Sequence, residues 1–246
     1  MITLSSFTKF AGITVALATA LVAVPKSQAA TISLNFEGID VAGGSNNTSI
    51  NNFYNGGTSG SGTSGVDYGV TFSPNASALS LNTLSNPGVS NTSRGGLGDP
   101  SSQNGGLIFL SGTQTFINYA NGFDTGFSLF YAAINNPGSI SVYDGLNGTG
   151  GLLATLGLPI TTGSCPGYNA GFCPFAPVGV SFAGTARSIG FAGVANQIVL
   201  DDVTFGSVTP GAPTTAVPEP FTIVGTLIGA TAAYRTRKRL KATNKL

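Results

Sequence analysis

The chain has 246 residues, 41% of them apolar and only 8% charged, and it contains no histidine. A typical domain is about 25% charged, so a highly charged disordered chain is excluded, and the apolar share is enough for a core. The missing histidine excludes Ser-His-Asp and Cys-His catalysis and any zinc site built on imidazole.

The net charge of +1 hides an asymmetry. Lys9 and Lys26 lie in the N-terminal segment, and Arg235, Arg237, Lys238, Arg239, Lys241 and Lys245 lie at the C-terminal end. Between them only Arg94 and Arg187 stand against Glu37, Asp40, Asp67, Asp99, Asp124, Asp144, Asp201 and Asp202, so residues 30–216 carry a net charge of −6. Phosphate binding needs Lys and Arg spread over a contact face, so nucleic acid is not an expected partner.

In chain order, the first element reads as an export signal. Lys9 precedes the apolar run "FAGITVALATALVAV" (10–24), and "SQA" (27–29) supplies small residues where a signal peptidase reads. Residues 1–29 are therefore expected to be a signal peptide handled by the Sec machinery, with cleavage after Ala29 or one residue later.

Residues 30–206 follow as one domain in which the hydrophobic period is two. "TISLNF" (31–36), "YGVTFS" (68–73), "GLIFL" (106–110), "TFINY" (115–119), "GFSLFYA" (126–132), "SISVYD" (139–144), "LLATL" (152–156), "GVSFAG" (179–184), "RSIGFAG" (187–193) and "QIVLDDVTFG" (197–206) each predict a strand. Gly, Asn, Pro and Ser punctuate the gaps, as in "NNPGS" (135–139) and "DGLNGTGG" (144–151), which have turn chemistry. Short strands at this density predict an all-β fold, an antiparallel β-sandwich of jelly-roll type. The Gly/Ser/Thr-rich loop from Gly43 to Gly65 is long for a compact domain and is expected to be mobile, with Phe53 and Tyr54 available to present rings to a ligand.

Cys165 and Cys173 are the only cysteines. In an exported chain they are expected to form a disulfide closing a small loop, worth somewhat less than the ~3 kcal/mol of a 15-residue loop. The pair is not expected to bind metal, because no histidine completes a site and the spacing is wrong for zinc.

Beyond the domain, residues 207–216 read as a linker rich in Pro, Thr and small residues. Then come Val217-Pro218-Glu219-Pro220, an apolar run over 221–234, and a basic tail over 235–246 led by Arg235, Arg237, Lys238 and Arg239. As a helix the run reaches roughly 21 Å, short of a ~30 Å hydrocarbon core. It is a poor permanent anchor, and the positive cluster orients it with the domain outside. Prolines before it keep the preceding segment extended and open to a peptidase. In this order, at the C-terminal end, these features resemble the PEP-CTERM sorting signal of exported bacterial proteins, most closely its cyanobacterial form. The resemblance covers about thirty residues. It implies transient membrane insertion as a short transmembrane helix, recognition by an exosortase-type peptidase, removal of the tail, and delivery to the cell surface or extracellular matrix. It concerns sorting and not activity.

The chemistry left to the domain is carboxylate chemistry. "NFEGID" (35–40) sits on or after the first strand and "VLDDVTF" (199–205) forms the last, and first and last strands commonly lie together in jelly-rolls. From the residues alone, Asp201 and Asp202 are equally a solvated strand end, and Glu37 a loop acid. The two segments also resemble the ends of secreted carbohydrate-binding-module-like jelly-rolls. That resemblance implies Glu37, Asp201 and Asp40 as ligands of a structural Ca²⁺, and extracellular polysaccharide as a partner. Tryptophan is absent and carboxylates are few. The expected function is thus non-catalytic polysaccharide binding. The alternatives are a self-associating structural envelope component and, less favoured, a carboxylate-based glycoside hydrolase.

Overall fold

All ten segments with the period-two pattern form strands, within a few residues, in the computed structural model, which describes residues 31–39, 47–81, 104–161, 172 and 174–213. The strands are β1 (Ile32–Leu34), β2 (Asn47–Ser49), β3 (Val70–Phe72), β4 (Ala76–Ser80), β5 (Gly105–Phe109), β6 (Gln114–Phe123), β7 (Gly126–Ala133), β8 (Gly138–Tyr143), β9 (Leu152–Leu158), β10 (Ala176–Ser181), β11 (Ala186–Ala192) and β12 (Ile198–Phe205). A short 3-10 turn spans Leu146–Gly148. The sequence pattern missed β2 and β4. "NTS" and "ASALS" offer few large apolar residues, and both strands are recruited by pairing with each other and, for β4, with β5.

Two antiparallel sheets result. One runs β10-β7-β12-β5-β4-β2, with β1 also paired to β12; the other runs β3-β6-β11-β8-β9. The first and last strands do lie side by side, with Ile32 opposite Phe205 and Leu34 opposite Val203. The inner faces meet in an aromatic core. Phe205 stands 4.9 Å from Phe123 and 6.0 Å from Phe127, and Phe127 lies 6.1 Å from Phe191 across the sandwich. A second cluster lies on the other face of the larger sheet, where Leu79, Ile108, Ala132 and Val199 are covered by Phe172 and Phe175. Strand β12 is therefore buried on both faces, and every one of its residues is inside.

The "DGLNGTGG" turn behaves as its residues require. Asn147 and Gly148 take positive φ of 54° and 71°. Asn118 pins the turn to β6 by accepting from the Asn147 amide at 2.7 Å and donating to its side chain at 2.8 Å.

Two expectations are corrected. The described part of the Gly43–Gly65 loop is ordered by its own hydroxyls. The side chains of Ser59, Ser61 and Thr63 all donate to the Ile39 carbonyl, at 3.0, 2.6 and 2.9 Å. In addition, residues 207–213, expected to be linker, lie on the sandwich. Ser128 Oγ donates to the Ser207 carbonyl at 2.9 Å, and the Gly211 amide donates to Thr204 Oγ1 at 3.0 Å. A Cβ on Gly179 would collide with the Val208 carbonyl, so glycine there is what admits this strap.

Residues 1–30, Asp40, Cys165, Cys173 and the whole of 217–246, with the Val217–Pro220 motif and the basic cluster, lie outside the described residues. Among the described residues no helix is long and apolar enough to cross a membrane.

Candidate functional site: an aromatic and acidic cleft beside the first strand

Where β1 ends, the chain must turn sharply away from its sheet. Phe36 and Gly38 do this with positive φ of 54° and 71°. The Phe36 ring is driven into the core, edge-on to Tyr54 at 5.9 Å and to Phe72 at 6.2 Å. The Phe36 amide donates to Tyr54 Oη at 2.9 Å, which satisfies a polar group that would otherwise be costly to bury. Around Tyr54 the cluster continues, with Phe53 edge-on at 4.9 Å and Tyr68 stacked at 6.1 Å. Phe53 and Tyr54 are both buried. They form an inner wall and do not project as the free rings expected of a mobile loop.

Glu37 serves the turn as well. Its Oε1 accepts from the backbone amides of Asn104 and Gly105 at 2.8 and 3.1 Å, fastening the turn after β1 to the start of β5. A Cβ on Gly105 would collide with the Phe36 carbonyl, so the sequence "NGG" is needed for the crossing.

On the last strand the two aspartates break the ladder. Asp201 pairs with Phe130 but Thr204 with Ser128, so β12 carries one residue too many and bulges. Asp202 takes φ 45° there, and its amide donates to Asp201 Oδ1 at 2.7 Å. Thr204 Oγ1 closes the bulge by donating to the Asp202 carbonyl at 2.7 Å. Both aspartates are buried, so the reading of a solvated strand end is overturned.

These pieces enclose a cleft of about 510 Å³. Ser33, Asn35, Glu37 and Asp202 supply its polar groups; Phe53, Tyr54, Val66 and Tyr68 form an apolar wall; Gly211–Pro213 form the opposite rim. Tyr68 is half-buried and Val66 is 60% exposed, so this wall has a face open to a ligand. Tyr54 is held protonated well above its ordinary pKa of 10, chiefly by burial; the hydrogen bond from the Phe36 amide opposes this, and Asp201, Tyr68 and Glu37 add to the rise.

No family model matches this chain, and no curated protein matches it. Among solved structures, several are similar in part. The K2 cleaved adhesin domain of Lys-gingipain matches at 12% identity and a TM-score of 0.38, over 71% of this chain and 98% of that one. A carbohydrate-binding module of lichenase 5A from Cellvibrio mixtus, in complex with cellotriose, matches at 14% identity and TM-score 0.29, over 43% of this chain and 79% of that one. A family 6 carbohydrate-binding module matches at 20% identity and TM-score 0.31, over 55% and 84%. At such identities and scores the chemistry of the cleft is read from its own residues.

Of the expected metal ligands, Glu37 and Asp201 both lie close enough to Tyr54 for their charges to act on its hydroxyl. Asp40 follows directly on Ile39 but falls outside the described residues. Among the described residues no three His, Cys, Asp or Glu side chains converge as a metal site. Sequence reasoning did not single out Ser33, Asn35, Val66 or Tyr68. They sit on strand ends and loop segments that meet only in the fold. The one signal available was Tyr68, a ring just past a long Gly/Ser loop.

The arrangement can hold a hydroxyl-rich ligand. Carboxylate, amide and hydroxyl oxygens accept and donate hydrogen bonds while an aromatic wall covers an apolar ring face. Among the described residues the walls carry acids and no cation; Arg187, the cation among those residues, lies on β11 in the other sheet. Such a cleft favours a neutral ligand over a polyanion.

Proposed function

We propose that this chain is an exported, non-catalytic sandwich of jelly-roll type that binds neutral extracellular polysaccharide in the cleft beside β1. The observation that carries the reading is the cleft itself, which Tyr68 lines together with the polar groups Ser33, Asn35, Glu37 and Asp202. Tyr68→Ala removes the open ring and leaves the inner wall in place. On an array of neutral polysaccharides its binding should fall at least about tenfold, a loss of roughly 1.4 kcal/mol. Absence of binding by the unaltered protein to any neutral glycan would overturn the reading. Turnover of a polysaccharide that disappears in Glu37→Gln while the fold survives would replace binding with hydrolysis.

Export belongs to the same proposal. The signal peptide over 1–29 directs the chain through Sec, and the Val217–Pro220 motif, apolar run and basic cluster pause it in the membrane for an exosortase-type peptidase. Mass spectrometry of the mature protein should show both ends removed and Cys165 joined to Cys173. A full-length product in the cytosol would overturn this part.

Ca²⁺ fits the reading as a structural clamp. Held by Glu37 and Asp201 with Asp40 as a further ligand, it would tie the first turn to the last strand and offset the repulsion of the carboxylates. A lower melting temperature in EDTA, restored by Ca²⁺, is the expected result; an unchanged one removes the clamp.

A further inference from the structure

One buried hydroxyl ties three parts of the cleft together. Thr204 lies directly opposite Ser33 in the ladder of β1 and β12. Their neighbours Ile32, Leu34, Val203 and Phe205 belong to the aromatic core. By the alternation of a strand, Ser33 and Thr204 point to the other face, where Ser33 lines the cleft. Thr204 is fully buried there and bonded to the strap.

Three hydrogen bonds meet at Thr204 Oγ1. It donates to the Asp202 carbonyl at 2.7 Å, accepts from the Gly211 amide at 3.0 Å, and stands 3.1 Å from Ser33 Oγ. A threonine hydroxyl has one proton and two lone pairs. A carbonyl can only accept, so the Thr204 proton belongs to Asp202. Turned toward Ser33 instead, it would leave two oxygens facing each other at 2.7 Å with no proton between them. The Gly211 amide takes one lone pair, and Ser33 must donate to the other. The Ser33 proton is thereby committed, and toward the cleft this side chain has lone pairs alone. The carboxylate oxygens of Glu37 and Asp202 in the same lining also accept.

We propose that Thr204 is a specificity-determining positioning residue: by fixing the proton of Ser33 it makes the cleft select sugars with free hydroxyls over the same sugars O-methylated or O-acetylated. This rests on glycan binding in the cleft and narrows the class of glycan. A free sugar hydroxyl rotates to donate to Ser33. An ether or ester oxygen can only accept, and it meets a lone pair. A polar group set to receive a donor is left unpaired by an analogue that lacks one.

The test is an array of soluble glucans, xylans and mannans, each native and partly O-methylated. The unaltered protein should prefer the native form by about tenfold. Thr204→Val keeps the shape of the side chain and removes the hydroxyl. Ser33 is then free to donate to an ether oxygen, and the preference should shrink about fivefold. Steric exclusion of the methyl groups would survive that substitution. Thr204→Ser keeps the hydroxyl and should keep the full preference. Ser33→Ala, at a partly exposed position, leaves Thr204 its two backbone partners. It should shrink the preference as much, and adding Thr204→Val to it should shrink it no further. Where circular dichroism shows Thr204→Val unfolded, Ser33→Ala decides. No binding of the unaltered protein to any native form overturns the glycan reading and this inference with it. Binding with an unchanged preference in folded Thr204→Val, or in Ser33→Ala, overturns this inference alone. So does a preference lost equally in Thr204→Ser.

Discussion

Strands β12 and β9 are built from similar apolar residues and end in opposite environments. β12 lies in mid-sheet, with Leu200, Val203 and Phe205 in the inner core and Val199 in the second cluster. β9 closes the other sheet, turning Ala154 and Leu156 inward while Leu152, Thr155 and Gly157 face water. The difference teaches that apolar content alone does not locate a strand. Continuous burial comes from cover on both faces, which the chain supplies to β12 through Phe172 and Phe175 and withholds from β9.

The sharpest way to break the comparison is Phe205→Ala. It empties the contact of Phe205 with Phe123 and Phe127 and should cost about 3–5 kcal/mol in denaturant unfolding. Val199→Ala tests the outer face of the same strand. If that face is core, the loss should be about 1–3 kcal/mol, read as a melting temperature lower by several degrees. Glu37→Ala removes the acceptor of two backbone amides at the start of β5 and should cost roughly 1–3 kcal/mol, with Glu37→Gln losing less because an oxygen remains. Titration offers a further test. Tyr54 keeps its proton in the folded state to a pH well above 10, while the unfolded chain releases it near 10. Stability is thus unaffected below pH 10 and should fall above it, by about 1.4 kcal/mol per pH unit; Tyr54→Phe should flatten that slope. The smallest effect belongs to β9. Leu152→Ser should change stability by no more than about 0.5 kcal/mol, because Leu152 is 56% exposed.

Much of the sandwich was legible because its strands alternate: "SISVY" and "GFSLFYA" announce themselves by period. The pairing of first strand with last was legible too, because jelly-rolls commonly set those strands side by side. Strands β2 and β4 were not, since Asn, Ser and Ala carry little pattern and depend on their neighbours. The order in "TSGSGTS" was hidden for a different reason. Its hydroxyls recur at every second residue, but the Ile39 carbonyl that gathers them lies twenty residues away. Asp201 and Asp202 look like a solvated pair in sequence; the bulge that buries them is a property of the ladder. The cleft was the least visible part, because Ser33, Tyr68 and Pro213 come from three distant stretches.

The strap over 207–213 carries the chain to the rim of the cleft. Pro213 belongs to the mouth of the cleft, so whatever is joined to the C-terminal side begins at that doorway. A support or fused cargo attached there stands off by only ~3.5 Å for each extended residue between, and a bulky one would crowd that opening. Immobilisation through the opposite terminus would leave the doorway clear.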